Sequence, residues 1–270
     1  MPSKKSAEDA VLNILHITDC HLSKHADGKL LGMNTRDSLD AVLALLQGAH
    51  SKPDYVLATG DLAQDASIEA YQYFKSRMAQ FSCPVSWFPG NHDARPAMRQ
   101  VVDGGPELNK VVQMGAWQFV LLDTLVEGKV HGWLEESELA VLEQALTAQP
   151  DLHTMVCLHH HPVGINSAWL DKIGLHNRDQ LLEMTDRFDN VRALLWGHIH
   201  QQIDDRRNQV NLYASPSTCI QFLPKSDKFA VDARAPGYRW LKLYPDGHIE
   251  TEVHRTVDFE FELDLQSDGY

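Results

Sequence analysis

Five short stretches of the chain gather side chains able to hold divalent cations. They are Asp19-Cys20-His21, Gly60-Asp61, Gly90-Asn91-His92-Asp93, His159-His160-His161-Pro162 and Gly197-His198-Ile199-His200. Carboxylate and carboxamide oxygens with imidazole nitrogens suit Fe, Mn, Zn or Co and need no thiolate. In extended chain, residues i and i+2 point to the same side. Asp19 with His21, and His198 with His200, are therefore expected to reach a common pocket. A glycine precedes each of Asp61, Asn91 and His198. A missing Cβ there permits a sharp turn and a close backbone approach. An aspartate between two ions can bridge them, one oxygen to each. With Asp19 and Asp61 as the carboxylate donors and neutral Asn and His completing the set, two divalent ions keep roughly two residual positive charges. Such a centre attracts phosphate and brings the pKa of bound water from near 16 to roughly 7, so no Ser or Cys nucleophile is required.

The elements that must position these residues follow from periodicity. Apolar runs at Val11–Thr18, Tyr55–Thr59, Val85–Phe88, Trp117–Leu122, His153–Leu158 and Val191–Trp196 read as strands. Helical patterns lie at Thr35–Gln47, Ser67–Ala79, Ser137–Ala148 and Arg178–Phe188. In the first, Leu39, Val42, Leu43 and Leu46 form one apolar face, with Asn34 or Thr35 as its N-cap. This β-α-β-α rhythm predicts an α/β fold. Five of the strands end in the polar stretches above, and in α/β folds the carboxyl ends of strands form the ligand crevice. Toward the C-terminus, Asn211–Ala214, Tyr238–Leu243 and His248–His254 read as strands, with a turn at Pro245-Asp246-Gly247. The sheet is expected to end in antiparallel strands.

Composition narrows the partners. The 270 residues carry 24 Lys+Arg against 37 Asp+Glu, a formal net charge of -13, which disfavours a nucleic-acid-binding surface. Cys20, Cys83, Cys157 and Cys219 stand singly and read as reduced, packed thiols. Neither a signal-peptide pattern nor an apolar run of membrane-spanning length is present, so a cytoplasmic protein without membrane attachment is expected, as monomer or homodimer. No linker or repeat divides the chain. Residues 1–270 are expected to form one domain, with a catalytic core at about 11–255 and a tail at 256–270, of which Asp258 to Tyr270 reads as either an edge strand or a loose end.

The ordered set D-C-H, G-D, G-N-H-D, H-H-H-P and G-H-I-H resembles the calcineurin-like metallophosphoesterase signature. Together with L-H-I-T-D-C-H-L, W-F-P-G-N-H-D and S-P-S-T-C-I-Q-F, it is most similar to bacterial class III 3′,5′-cyclic-AMP phosphodiesterases, from about Leu15 to His254. The resemblance implies a four-layer αββα sandwich of two mixed β-sheets flanked by helices. It implies two metal ions, Fe, Mn or Zn, one held by Asp19, His21, Asp61 and His200 and the other by Asp61, Asn91, His160 and His198. Substrate is expected to meet His21, Asp61, Asn91, His92 and His200, with His92 as the catalytic group that helps the leaving oxygen. The implied reaction is attack of metal-bound hydroxide on cyclic AMP to give 5′-AMP, lowering the intracellular cyclic nucleotide. A broader phosphodiesterase acting on glycerophosphodiesters or other small diesters is the alternative, and a non-catalytic scaffold a distant one.

Within H-H-H-P, the family's H-x-P spacing selects His160, and strand alternation is expected to turn His159 away. His16 reads as a packed strand residue, and His25, His50, His131, His153, His248 and His254 as surface or structural ones. Asp93 either orients His92 or caps a helix beginning near Ala94. Trp169, on the long stretch 163–177, either stacks on a purine or packs its loop. Arg206 and Arg207 read as a solvated turn.

Overall fold

Alternation along the first strand sets the layering. In Leu12–Ile17, Leu12 and Ile14 turn into one apolar cluster while Leu15 and Ile17 turn into another. The computed structural model, which describes residues 10–49, 52–267 and 269, carries this pattern through two sheets. His50 and the first nine residues, read above for a surface role and for targeting, lie outside the described residues. A five-stranded sheet runs Ile249–Arg255, Gly237–Leu243, Leu12–Ile17, Tyr55–Ala58, Val85–Trp87 in spatial order. A six-stranded sheet runs Ile203–Arg207, Val210–Ala214, Val191–Trp196, His153–Leu158, Trp117–Leu121, Val111–Met114.

Three apolar clusters fill the three spaces between four layers. Leu12, Ile14, Tyr55 and Leu57 meet Phe119, Met155 and Leu195 between the sheets. The outer face of the five-stranded sheet packs on helices Thr35–Ala49, Ile68–Met78 and Arg95–Val102 through Leu39, Phe74 and Met98. The outer face of the six-stranded sheet packs on Glu136–Ala148 and Arg178–Asp186 through Leu142, Leu146 and Leu181. Each such apolar side chain contributes about 1.5–3 kcal/mol relative to exposure. The αββα sandwich implied by the resemblance is thus the observed architecture.

The helix N-termini follow from local chemistry. Asn34 Oδ1 accepts from the Arg36 and Asp37 backbone N–H groups at 3.0 and 3.1 Å, and Ser67 Oγ accepts from Ala70 N. The C-terminal strands need a correction. Val210–Ala214 runs parallel to Val191–Trp196, and the antiparallel edge is instead Ile203–Arg207. The last hairpin belongs to the other sheet, where Gly237–Leu243 pairs antiparallel with Leu12–Ile17. Beyond it the described residues of the tail form no strand: Phe259, Phe261 and Leu263 pack on the helix-side core while the acidic residues between them face outward.

Candidate metal centre

All five polar stretches converge at the carboxyl ends of Leu12–Ile17, Tyr55–Ala58, Val85–Trp87, His153–Leu158 and Val191–Trp196. The first two are zipped together by backbone bonds from Asp19 N to Gly60 O (3.1 Å), His21 N to Asp61 O (2.9 Å), Leu22 N to Leu62 O (2.9 Å) and Gln64 N to Leu22 O (2.8 Å). The fifth joins through His198 N, which donates to both Asp19 carboxylate oxygens at 3.0 Å.

Asp19 and His21 do converge, as do His198 and His200, but not by extended alternation. Asp19, His21, Asp61, His198 and His200 all adopt left-handed backbone, with φ of 53, 46, 49, 67 and 48°. Such conformations cost a non-glycine residue roughly 1–2 kcal/mol each, and they cluster at sites where the surrounding structure over-determines them. The preceding glycines serve close packing. A Cβ on Gly60, itself at φ +93°, would stand 2.6 Å from His159 Nδ1, and one on Gly197 only 2.1 Å from Thr18 Oγ1.

The proton positions on the rings decide what the site can hold. A carbonyl or carboxamide oxygen only accepts, so the ring nitrogen facing it carries the proton and the other keeps a lone pair. His21 Nδ1 faces Gln64 Oε1 at 2.6 Å, His159 Nδ1 faces Thr59 O at 2.8 Å, and His200 Nδ1 faces Ile220 O at 2.9 Å. Their Nε2 atoms are the donors left to the centre. His198 is reversed, Nε2 facing Ile173 O at 3.0 Å, so its lone pair is on Nδ1. His21 Nε2 and His200 Nε2 stand 3.1 Å apart, and His200 Nε2 is 3.4 Å from Asp19 Oδ1. His159 Nε2 lies 3.2 Å from both Asp61 Oδ2 and Asn91 Oδ1. Carboxylate and carboxamide oxygens and imidazole nitrogens crowd together here, a donor set that fits a pair of cations.

The geometry corrects the expected orientation of His159 within the histidine triplet. His153–Leu158 ends at Leu158, so period-two alternation no longer governs His159, which turns toward Asp61 and Asn91 rather than away. His160 lies beside it with both ring nitrogens engaged, Nε2 donating to Val130 O at 3.0 Å and Nδ1 accepting from Thr124 Oγ1 at 2.7 Å. Both its nitrogens thus have protein partners, although His159, His160 and His198 together also form a group able to hold an ion.

Charge supports the same picture. Burial alone would raise the Asp19 carboxyl, but His200 outweighs it and holds the group below its ordinary value. Asp61 is held well below by His159 and His92 against the same burial. Burial lowers His159, yet Asp61 lifts it to about 9, while burial takes His21 down to about 3. Asp19, His21, Asp61, His159, His198 and His200 are buried, whereas Asn91 and His92 are half-buried, so the open side of the centre is theirs. His92 N donates to Asp61 Oδ1 at 2.8 Å, and its ring stands edge-on to His21 at 4.9 Å.

Other residues take plainer roles. Asp93 does not cap the helix: its carboxylate accepts from Leu62 N, Ala63 N, Gly90 N and Tyr71 Oη, tying two loops together. Trp169 packs edge-on against Phe222 and Phe229, and Phe222 stacks on His200 at 4.2 Å. Arg207 pairs with Asp186 and Arg206 with Asn208 O. His16 is buried between Ser215 and Thr59. Reading the sequence missed Gln64, His159 and Phe222. Phe222 lay inside the quoted S-P-S-T-C-I-Q-F run, which carried no assigned role, and nothing local marked Gln64.

Comparison with known proteins agrees. The family model for calcineurin-like phosphoesterases matches residues 12–202. The 3′,5′-cyclic adenosine monophosphate phosphodiesterase CpdA of Pseudomonas aeruginosa is 41% identical over 268 residues, covering 99% of this chain and 98% of its own. Its counterpart of the same name in Escherichia coli K12 is 45% identical over 266 residues, covering 98% and 97%. Among solved structures, a dimetal phosphatase from Danio rerio superposes with a TM-score of 0.62 at 16% identity, covering 91% of this chain and 99% of that one, a likeness of fold.

Proposed function

The chain belongs to the calcineurin-like phosphoesterase family, and from that premise we propose that it is a two-metal hydrolase of 3′,5′-cyclic AMP, breaking the 3′ P–O bond to give 5′-AMP. The observation that carries the metal reading is the pair of lone-pair nitrogens, His21 Nε2 and His200 Nε2, 3.1 Å apart beside the Asp19 carboxylate. One ion is assigned to Asp19, His21, Asp61 and His200, the other to Asp61, Asn91, His159 and His198, with Asp61 shared. When bound, the ions supply a nucleophile at neutral pH and a clamp on the phosphate oxygens.

The protein's own residues do the rest. Thr59 O, Ile173 O, Ile220 O and Gln64 fix the four rings in their donor tautomers. The His92 backbone N–H holds one Asp61 oxygen, and its half-buried ring is placed at the open side to give a proton to the departing 3′ oxygen. Asn91 and His92 frame the approach for the phosphate. A small diester entering there needs no basic surface, in keeping with a net charge of -13 and with action on a small molecule rather than nucleic acid. No helix among the described residues is long and apolar enough to cross a membrane.

A second reading has a specific observation behind it. Half-buried Trp169 packs edge-on against Phe222 and Phe229, contacts that hold its loop without calling on a bound base. A broader diesterase would need no base platform. Steady-state hydrolysis of cyclic AMP, cyclic GMP, glycerophosphocholine and bis(p-nitrophenyl) phosphate by metal-loaded protein decides between them. Preference for cyclic AMP with 5′-AMP as sole product is expected, and equal turnover of all four diesters would replace the cyclic-nucleotide reading with the broader one.

A further inference from the structure

Of the four histidines in the proposed ligand set, three have their second nitrogen held by a backbone carbonyl and one, His21, by a side chain, Gln64. We propose that Gln64 is a positioning residue for the metal pair: its carboxamide oxygen fixes His21 with the proton on Nδ1 and the lone pair on Nε2, facing Asp61 and His200. This rests on the ligand set proposed above.

The placement is built into the chain. Leu22 N to Leu62 O and Gln64 N to Leu22 O close the zipper between the two loops beside the parallel Leu22–Ala63 bridge, which brings the Gln64 side chain within reach of the His21 ring. The 2.6 Å contact is made by a half-buried amide against a fully buried ring. An uncharged acceptor orients the imidazole without adding an anion. A carboxylate in its place would make His21 a stronger donor and remove part of the positive charge that binds phosphate. Loss of such an orienting partner typically costs 10–100-fold in metal affinity.

The test compares wild type, Gln64→Leu and Gln64→Glu by two readouts. Ring 15N shifts of His21 in metal-free protein report the tautomer, and Mn2+ binding isotherms report the two ions separately. We expect wild type to keep the Nδ1–H form and bind two ions. Gln64→Leu should mix the tautomers and weaken one ion by about 10-fold or more with the other unchanged, while Gln64→Glu restores both tautomer and affinity. Wild-type tautomer and affinities in Gln64→Leu would overturn the role of Gln64 alone. Failure of Gln64→Glu to recover the bond in a folded protein would do the same. Wild type binding fewer than two ions would overturn the ligand assignment and this inference with it.

Discussion

His21 Nε2 and His200 Nε2 face each other across 3.1 Å, each with its proton committed elsewhere, to Gln64 and to Ile220 O. Two lone pairs do not approach so closely without a positive charge to share. The two rings come from strands in different sheets, so the arrangement is a property of the whole sandwich and not of a local motif.

The shared carboxylate makes the strongest demand. Asp61→Ala should weaken both ions together, by more than the roughly 10–100-fold that follows loss of an orienting partner. Hydrolysis should fall with metal content. Metal analysis of the purified variant checks this, and full loading with two ions would contradict the bridging role.

The histidine triplet gives a paired prediction. His159→Asn should leave protein that binds one ion, because His159 Nε2 is the nitrogen at Asp61 and Asn91. His160→Asn should still bind two, although losing the bonds to Thr124 and Val130 should cost about 1–3 kcal/mol of stability. Metal stoichiometry together with urea unfolding separates the effects. The reverse pattern would restore the assignment to His160 that the family resemblance implies.

His92 offers a different split. It is outside the proposed ligand set, so His92→Ala should keep both ions and lower kcat about 100-fold or more. A poorer leaving group should suffer more than bis(p-nitrophenyl) phosphate, whose nitrophenolate departs without protonation. Equal losses on both substrates would remove the proton-donor role.

His16 carries a pH prediction. Burial first, then the charge of Arg239, lowers its folded pKa from near 6.5 to about 3. Between those values the unfolded chain binds a proton that the folded chain does not, so stability falls as pH drops below 6.5. In His16→Gln that component is gone, and the loss of stability of metal-free protein between pH 7.5 and 5 should shrink by about 2 kcal/mol. Urea unfolding at the two pH values measures it, and an unchanged difference would show that His16 does not carry this part of the acid limb.

These residues also mark what the sequence could and could not disclose. Central strands were legible because Leu12, Ile14, Leu15 and Ile17 are apolar on both faces of a covered sheet. Ile203–Arg207 was not, because an exposed edge strand reading Ile-Asp-Asp-Arg-Arg has no apolar alternation to betray it. The stretches that hold the centre were legible as residue types at strand ends. Their geometry was not, since five left-handed residues replaced the extended backbone that alternation assumes. For the same reason the choice between His159 and His160 turned on where a strand stops and on the partners of each ring nitrogen, Thr59 O in one case, Val130 O and Thr124 in the other. Such long-range carbonyl partners leave no mark in local sequence.

The most direct test of the central claim is an anomalous-scattering map from crystals of the Mn2+-loaded protein. Two peaks are predicted, one among Asp19, His21, Asp61 and His200 and the other among Asp61, Asn91, His159 and His198. A single peak, or a second ion held by His160 in place of His159, would contradict it.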